Sequence, residues 1–579
     1  MRARPWEKMP LLSVDQLGVA RARGSSAVDY EVVVVGAGPA GLACAIELGS
    51  RGIKCLLVER NARVGHAPRA KTTNVRTRTH LRRWGIAESL AEASPFGTDY
   101  PSDVVFLTRL AGPELTRFTN AFNAAPARDP RYPEHAQWVP QYKLEEVLRA
   151  HAVHLPSVTI AFDTMLIDAT ERDGKVSVTL QDADTGDRRE AQAYYVVGAD
   201  GARSRVRDVI GATMAGTYGL SRNYNIIFRA PGLAQAHRHG PAIMYWQVNS
   251  DAPSLIGPMD RDDIWFFMPT DLAEGQELSD DEAIAMIARS TGIDLPYEIL
   301  SSDVWIASQL IANKYRSGRL FLIGDACHLH PPFGGYGMNM GVADGVDLGW
   351  KLAAELQGWG GAALLDSYEA ERRPIHEFVM DEAVANHAML GNQLWTEGLE
   401  NDDAAGLAAR RDLGKKIAAN KIREFDTLGA VLGYRYAQSP VIPGAVAVPA
   451  DSRSYQPCSE PGALAPHAWL DDGRSFYDCF GTGFTLFTQS PLEDDVLAAR
   501  TEANEHGIPL RILPLPREVP RELYPCALTL VRPDQHVAWR ADAWKQGALL
   551  AACGLAETKI TTTITTGHHC VAEGRETLA

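Results

Sequence analysis

Long apolar runs are missing from this chain. The longest, such as Val32–Val35 and Cys55–Val58, have the length of a strand, whereas a bilayer-spanning helix needs about 20 consecutive apolar residues. Positive charge is also scarce: 57 Lys and Arg stand against 72 Asp and Glu, a net charge of −15. That balance offers no basic face to nucleic acid or to an anionic membrane, so neither partner is expected. The eight cysteines, at 44, 55, 327, 458, 479, 526, 553 and 570, include no C-x-x-C pair and no zinc-like spacing. Dithiol chemistry and a structural metal are thereby disfavoured, and unpaired thiols suit a reducing cytoplasm. Met1–Tyr30 lacks the apolar core and cleavage pattern of a signal peptide. A cytoplasmic location is expected.

What is present is ordinary globular composition over a length of roughly three to four domains. Glu31–Val35 reads as a buried parallel strand, Gly36-Ala37-Gly38-Pro39-Ala40-Gly41 turns into a helix, and a second strand, Lys54–Val58, ends at Glu59-Arg60. This βαβ unit opens a doubly wound α/β sheet. Gly36 permits the tight turn, Gly38 lets a pyrophosphate approach the backbone, and Gly41 lets the helix pack on the strand. Glu59 is placed to accept from an unphosphorylated adenosine ribose, as in FAD or NAD.

Two further segments repeat the theme of a strand ending in an acidic turn. After Val196-Val197 comes Gly198-Ala199-Asp200-Gly201 and an Arg-rich helix start; Asp200 there is either a cofactor ligand or a helix cap. After Leu320–Ile323 comes Gly324-Asp325, then Pro331-Pro332-Phe333-Gly334-Gly335-Tyr336-Gly337-Met338-Asn339, then a helix. The Asp325 carboxylate can grip a ribityl or ribose hydroxyl, and the glycines bring bare N–H groups against a flat ring. Alternating segments at Tyr224–Phe228, Ile243–Val248 and Ile264–Met268 read as an antiparallel sheet inserted between these motifs.

Together the three motifs resemble the class A flavoprotein aromatic hydroxylases, the para-hydroxybenzoate hydroxylase fold, from about Tyr30 to Glu377. The resemblance implies a Rossmann-like FAD-binding domain (30–95, 135–215 and 305–385) with an inserted antiparallel-sheet substrate domain (96–134 and 216–304). It assigns Gly36, Gly38, Pro39, Ala40, Gly41, Glu59, Arg60 and Asp200 to FAD, Asp325 to its ribityl chain, and Gly337, Met338 and Asn339 to the isoalloxazine pyrimidine edge. Arg69 in Pro68-Arg69-Ala70 resembles the arginine that reaches FAD phosphate, and Gln141 the glutamine beside the flavin. Pro461–His467, Leu470–Gly473 and Val531–Arg540 resemble the thioredoxin-like C-terminal domain of the larger phenol and polyketide hydroxylases, placed at 450–556. That domain is expected to pack on the core or to support a homodimer. Residues 1–29, 386–440 and 557–579 are read as an N-terminal extension, a helical segment and a tail.

The chemistry implied is the cofactor's: NADH or NADPH reduces FAD transiently, O2 adds at flavin C4a, and the hydroperoxide hands oxygen to an electron-rich phenolic ring. The protein must keep water out. Substrate contacts are expected from Asn225, Tyr245, Gln247 and Phe267, with period-two alternation allowing only half of the sheet's aromatics to face the ring. Tyr245 resembles the family tyrosine that orients substrate, and Pro332 the proline whose carbonyl, also beside the flavin, makes the ring hydroxyl more phenolate-like. His330 is a candidate proton acceptor. Tyr336, where relatives often carry Gln, either faces substrate or packs. Baeyer–Villiger oxygen insertion, epoxidation, or a flavin-binding module without turnover are the alternatives.

Overall fold

The computed structural model describes residues 28–61, 70–270, 272, 276–387, 394–447, 451–489 and 492–555. Arg69 and the terminal segments 1–27 and 556–579 therefore lie outside the described residues. No helix among the described residues is long and apolar enough to cross a membrane.

Four consecutive valines make Tyr30–Val35 a strand suited to burial on both faces, and Val32, Val33 and Val34 have no exposed surface. It lies at the centre of a sheet, parallel to Cys55–Val58 on one side and to Arg188–Gly198 on the other. Val158–Ala161 and Leu320–Leu322 extend the parallel core outward. Helix Pro39–Gly49 covers this sheet and packs against the long helix Tyr336–Leu356. The contact is close because Gly341, Gly345 and Gly349 share one helical face. A Cβ at Gly345 would lie 2.5 Å from the Ala40 carbonyl, and one at Gly349 would lie 2.8 Å from Glu47 Cβ.

The second sheet runs in the order His328–Leu329, Glu298–Ala312, Met214–Arg229, Ile264–Pro269, Ser254–Asp260, Met244–Gln247, Val104–Leu107, Glu114–Phe118. All its pairs are antiparallel except Met244–Gln247 with Val104–Leu107. Strand Glu298–Ala312 carries this sheet well past residue 304, where the sequence reading ended the insertion. Each face has its own core. Val105, Leu107, Ile226, Phe228, Tyr245, Trp265 and Phe267 pack with Ala283 and Ile287 of helix Asp280–Thr291. The opposite set, including Phe106, Ile227, Trp246, Leu255 and Phe266, packs in one cluster with Phe333, Tyr336 and Met340 of the nucleotide-binding domain.

The C-terminal region forms a four-stranded mixed sheet, with Phe484–Thr488 parallel to Leu510–Pro514 and antiparallel to Leu528–Val531. Charge ties it to the first domain. Arg532 donates to Glu371 at 2.7 and 2.9 Å, to Asp347 at 3.1 Å and to Asp534 at 2.7 Å. Lys351 Nζ reaches the same two carboxylates of the first domain, at 2.8 Å from Asp347 and 2.6 Å from Glu371. Burial works against ionisation of Glu371, but Arg532 and Lys351 outweigh it and hold the carboxyl below its usual range. Removing one cation from such a site leaves an uncompensated buried anion. Arg532→Met should therefore cost roughly 3–5 kcal/mol, read as a lower urea midpoint, whereas Arg453→Met at an exposed pair should cost less than about 1 kcal/mol.

Candidate active site

The glycine turn is built as a cradle. Gly36 has φ +105°, and a Cβ there would meet the Ala199 carbonyl oxygen at 2.3 Å. A Cβ at Gly41 would meet the Gly36 carbonyl oxygen at 1.9 Å, so the helix start lies directly on the turn. Around Gly38 the reverse holds: a Cβ would find no protein atom within 4 Å. Gly38 also precedes the first turn of helix Pro39–Gly49, which carries no acidic residue. Bare N–H groups and the positive end of the helix dipole thus face an approach wide enough for a pyrophosphate. At the end of the next strand, Glu59 accepts from the Ala37 N–H at 2.9 Å and, through its other oxygen, from the Asn61 side chain at 2.9 Å. Arg60 is exposed beside it. These groups fit an adenine dinucleotide with a free ribose.

Asp200 takes the cap role. One carboxylate oxygen accepts from the Ser204 hydroxyl at 2.5 Å, and the other from the N–H groups of Arg205 at 2.6 Å and Val206 at 3.1 Å. Of the two roles open to it in the sequence, the cap is the one these bonds fill. Asp325 stands exposed in the turn Gly324–Ala326, next to Ala40, which a Cβ at Gly324 would touch at 3.0 Å.

The Pro/Gly segment folds as a tight turn. The Pro332 carbonyl accepts from the Gly335 N–H at 3.1 Å, and Gly334 and Gly335 both have positive φ. Gly337 and Met338 then sit in the first turn of helix Tyr336–Leu356, where a Cβ on Gly337 would meet nothing within 4 Å. Asn339 ties the turn to the next segment. Its Oδ1 accepts from Asn74 N at 3.0 Å and the Thr77 hydroxyl at 2.7 Å, and its Nδ2 donates to the carbonyls of Thr72 at 2.9 Å and Gly335 at 2.7 Å. Its side chain is therefore a buried brace, with all four of its polar positions used within the protein. Gln141 opens helix Gln141–Val153, its N–H on the Ala70 carbonyl at 2.9 Å and its side chain on Glu145 at 2.7 Å.

His330 ends a buried chain. His328 Nε2 lies 2.8 Å from Asp344, and His328 Nδ1 lies 3.2 Å from His330 Nδ1. An ionised carboxylate only accepts, so Nε2 of His328 carries a proton toward Asp344. His330 Nε2 has no hydrogen-bond partner among the described residues. Burial raises the Asp344 pKa, but His376, Arg372 and His328 more than offset it and leave the carboxyl well below its usual range. Burial pushes His330 well below the ordinary imidazole value, so its ring is neutral at neutral pH. Tyr336 is fully buried, and burial drives its hydroxyl far above the ordinary tyrosine range. It packs, and does not serve as a base.

Three expected substrate contacts point the wrong way. Tyr245, Gln247 and Phe267 lie on the sheet face turned toward helix Asp280–Thr291. The Tyr245 hydroxyl donates to the Gly240 carbonyl at 2.5 Å, and Gln247 is consumed by Leu110 N at 2.9 Å and the Ser254 and Ser290 hydroxyls at 2.9 and 2.8 Å. Strand alternation explains the error: Trp246 and Phe266, one residue along, hold the inward face. Asn225 shares the parity of Ile227 and lies on that inward face. Lys421 belonged to no motif, yet its ammonium lies 4.6 Å from the Trp246 ring and 5.6 Å from Phe333, paired with Glu424 at 2.7 Å. Its signal was helical spacing, since Lys421 follows the buried Leu413 and Ile417 by successive steps of four.

The fold and this site define a dinucleotide-binding protein whose Pro/Gly turn packs against an aromatic sheet face. Residues 29–383 match the family described as FAD binding domain, and residues 459–557 match aromatic-ring hydroxylase, C-terminal. A tetracenomycin B2 monooxygenase-dioxygenase of Streptomyces olivaceus is 33% identical over 541 residues, covering 89% of this chain and 96% of the relative. A phenol 2-monooxygenase of Pseudomonas sp. is 31% identical, covering 90% and 91%. The rebeccamycin biosynthetic enzyme RebC with reduced flavin superposes with a TM-score of 0.83 at 31% identity, over 91% of this chain and 99% of that one. The chain belongs to the FAD-binding aromatic-ring hydroxylases and is an FAD-dependent monooxygenase.

Because Glu59 fixes the Ala37 N–H and is the residue expected at the ribose, Glu59→Ala should raise the FAD dissociation constant at least about tenfold. Flavin fluorescence titration of the apoprotein measures this, with circular dichroism confirming an unchanged fold.

Proposed function

We propose that this monooxygenase hydroxylates an uncharged phenol, ortho to an existing hydroxyl, using O2 and a nicotinamide that binds only transiently. The observation that carries the reading is the shared apolar cluster of Trp246, Phe266, Ile227, Phe333 and Tyr336, which sets the inward sheet face against the Pro331–Gly335 turn. Bound FAD would supply the activated oxygen, held by Gly36, Gly38, Gly41 and Glu59 at one end and by the backbone of Gly337–Asn339 at the other. Trp246, Phe266 and Phe333 keep water from the ring. Asn225 offers a polar group on the same face. The Pro332 carbonyl, with one lone pair engaged by Gly335, has a second for a ring hydroxyl. Relatives named for tetracenomycin B2 and for phenol support an aromatic hydroxyl compound of either size.

The test is a screen of phenols, resorcinols, hydroxybenzoates and polycyclic phenols for stimulated NADH or NADPH consumption, with hydrogen peroxide measured in parallel. The expected result is a hydroxylated product carrying one atom of labelled O2, with little peroxide. A labelled ester or ring-opened acid would replace hydroxylation by Baeyer–Villiger insertion. Nicotinamide oxidation that no phenol stimulates would sink the reading.

A further inference from the structure

Lys71 belongs to none of the sequence motifs, yet three of them meet around it. Its carbonyl accepts from Val139 N at 2.7 Å, and the preceding Ala70 carbonyl accepts from Gln141 N at 2.9 Å. The following residue, Thr72, is held through its carbonyl by Asn339 Nδ2 at 2.9 Å and packs on Gly335, where a Cβ would lie 3.2 Å from Thr72 Cβ. The backbone at Lys71 is thus pinned between the start of helix Gln141–Val153 and the ring-binding turn. Its side chain crosses to the other domain: Nζ lies 4.1 Å from the centroid of Phe266, on the inward face of the substrate sheet.

The two other lysines enclosed in this core each have a carboxylate, Lys351 with Asp347 and Glu371, Lys421 with Glu424. Lys71 has no ion pair or side-chain hydrogen bond among the described residues, and only the Phe266 ring attends its ammonium. Unlike those two it is not fully buried. Phe266, the group shown against its ammonium, is uncharged, and so are Trp138, which borders that ring, and Thr72, the next residue of its own strand. Burial alone brings its pKa down to about 8.

We propose that Lys71 is the residue that recognises the substrate's ring hydroxyl, binding it as an oxyanion beside the face of Phe266. The inference rests on the phenol reading above and names the group that makes the ring electron-rich. Where the amine is neutral, the O–H bond of the phenol breaks and an N–H bond forms, giving ArO⁻ and the Lys71 ammonium with no change of oxidation state. Where it is already an ammonium, the hydroxyl proton leaves to solvent. Either way the oxyanion raises electron density at the ortho carbon.

These alternatives predict a proton count. Below pH 8, binding a phenol of ordinary pKa as its anion releases about one proton, and between about 8 and 10 the count falls toward zero because lysine keeps the proton. The experiment titrates the FAD-loaded protein with 1-naphthol and 9-phenanthrol at pH 7 and pH 9. Calorimetry in buffers of different ionisation enthalpy counts protons, and the absorption of the bound anion is read in parallel. The wild type should show the anion band at both pH values and proton release only at pH 7. Lys71→Met should lose the band and the release, with affinity at pH 7 at least about tenfold weaker. Lys71→Arg keeps the charge but accepts no proton, so release should persist at pH 9. An unchanged anion band in Lys71→Met with full FAD content would overturn the proposal. So would a change confined to flavin absorption or FAD affinity, which would assign the amine to the cofactor. Failure of the wild type to bind either probe would instead remove the phenol reading, and this inference with it.

Discussion

The approach of helix Pro39–Gly49 to helix Tyr336–Leu356 is the constraint on which the site depends. Gly341, Gly345 and Gly349 let the two helices lie close, and a Cβ at Gly345 or Gly349 would collide with Ala40, Cys44 or Glu47, while one at Gly341 would crowd Ala40. That contact fixes where the second helix begins, and so where the Pro331–Gly335 turn sits relative to the glycine turn. Two segments some three hundred residues apart, on the order of the gap between Gly41 and Gly341, become the two ends of one cradle. Asn339 then carries the constraint one step further, from the second helix to Thr72, Asn74 and Thr77.

The other domains are held to that frame by different forces. The substrate sheet is held by apolar packing, its inward aromatics continuous with Phe333, Tyr336 and Met340. The C-terminal region is held by buried charge, with Arg532 and Lys351 shared among Asp347, Glu371 and Asp534. Apolar packing is non-directional and tolerates a ring of varied shape. Buried ion pairs are directional and costly to break, which suits a junction that must stay closed. The same contrast marks the lysines: Lys351 and Lys421 are paired with buried carboxylates, whereas Lys71 has no carboxylate partner among the described residues.

Much of the architecture was legible because backbone requirements leave traces in residue type. Gly36 and Gly41 are glycines because a Cβ would strike another backbone, and the run of valines marks a strand buried on both faces. The strands at Tyr224–Phe228 and Ile264–Met268 lie where alternation places them. Side-chain roles were less legible. Asp200 and Asn339 stand within cofactor motifs, yet their polar atoms are spent on a helix cap and on a brace between segments. A motif reports which residue type a position needs, and a capping carboxylate and a ligating one look alike in sequence.

The sequence by itself determined the dinucleotide turn, the division into two sheets and a C-terminal α/β region, and the flavin chemistry those parts serve. Only the tertiary structure decided which face of the inserted sheet packs against the nucleotide-binding domain. Period two is read equally well in either phase, and a shift by one residue exchanges Tyr245 and Phe267 for Trp246 and Phe266. It also decided which charges are compensated. Lys71, Lys351 and Lys421 are identical as letters, and only the folded chain shows that the carboxylates reach two of them. Local residue type sets backbone geometry, but the electrostatic surroundings of a side chain are set by segments far away in sequence.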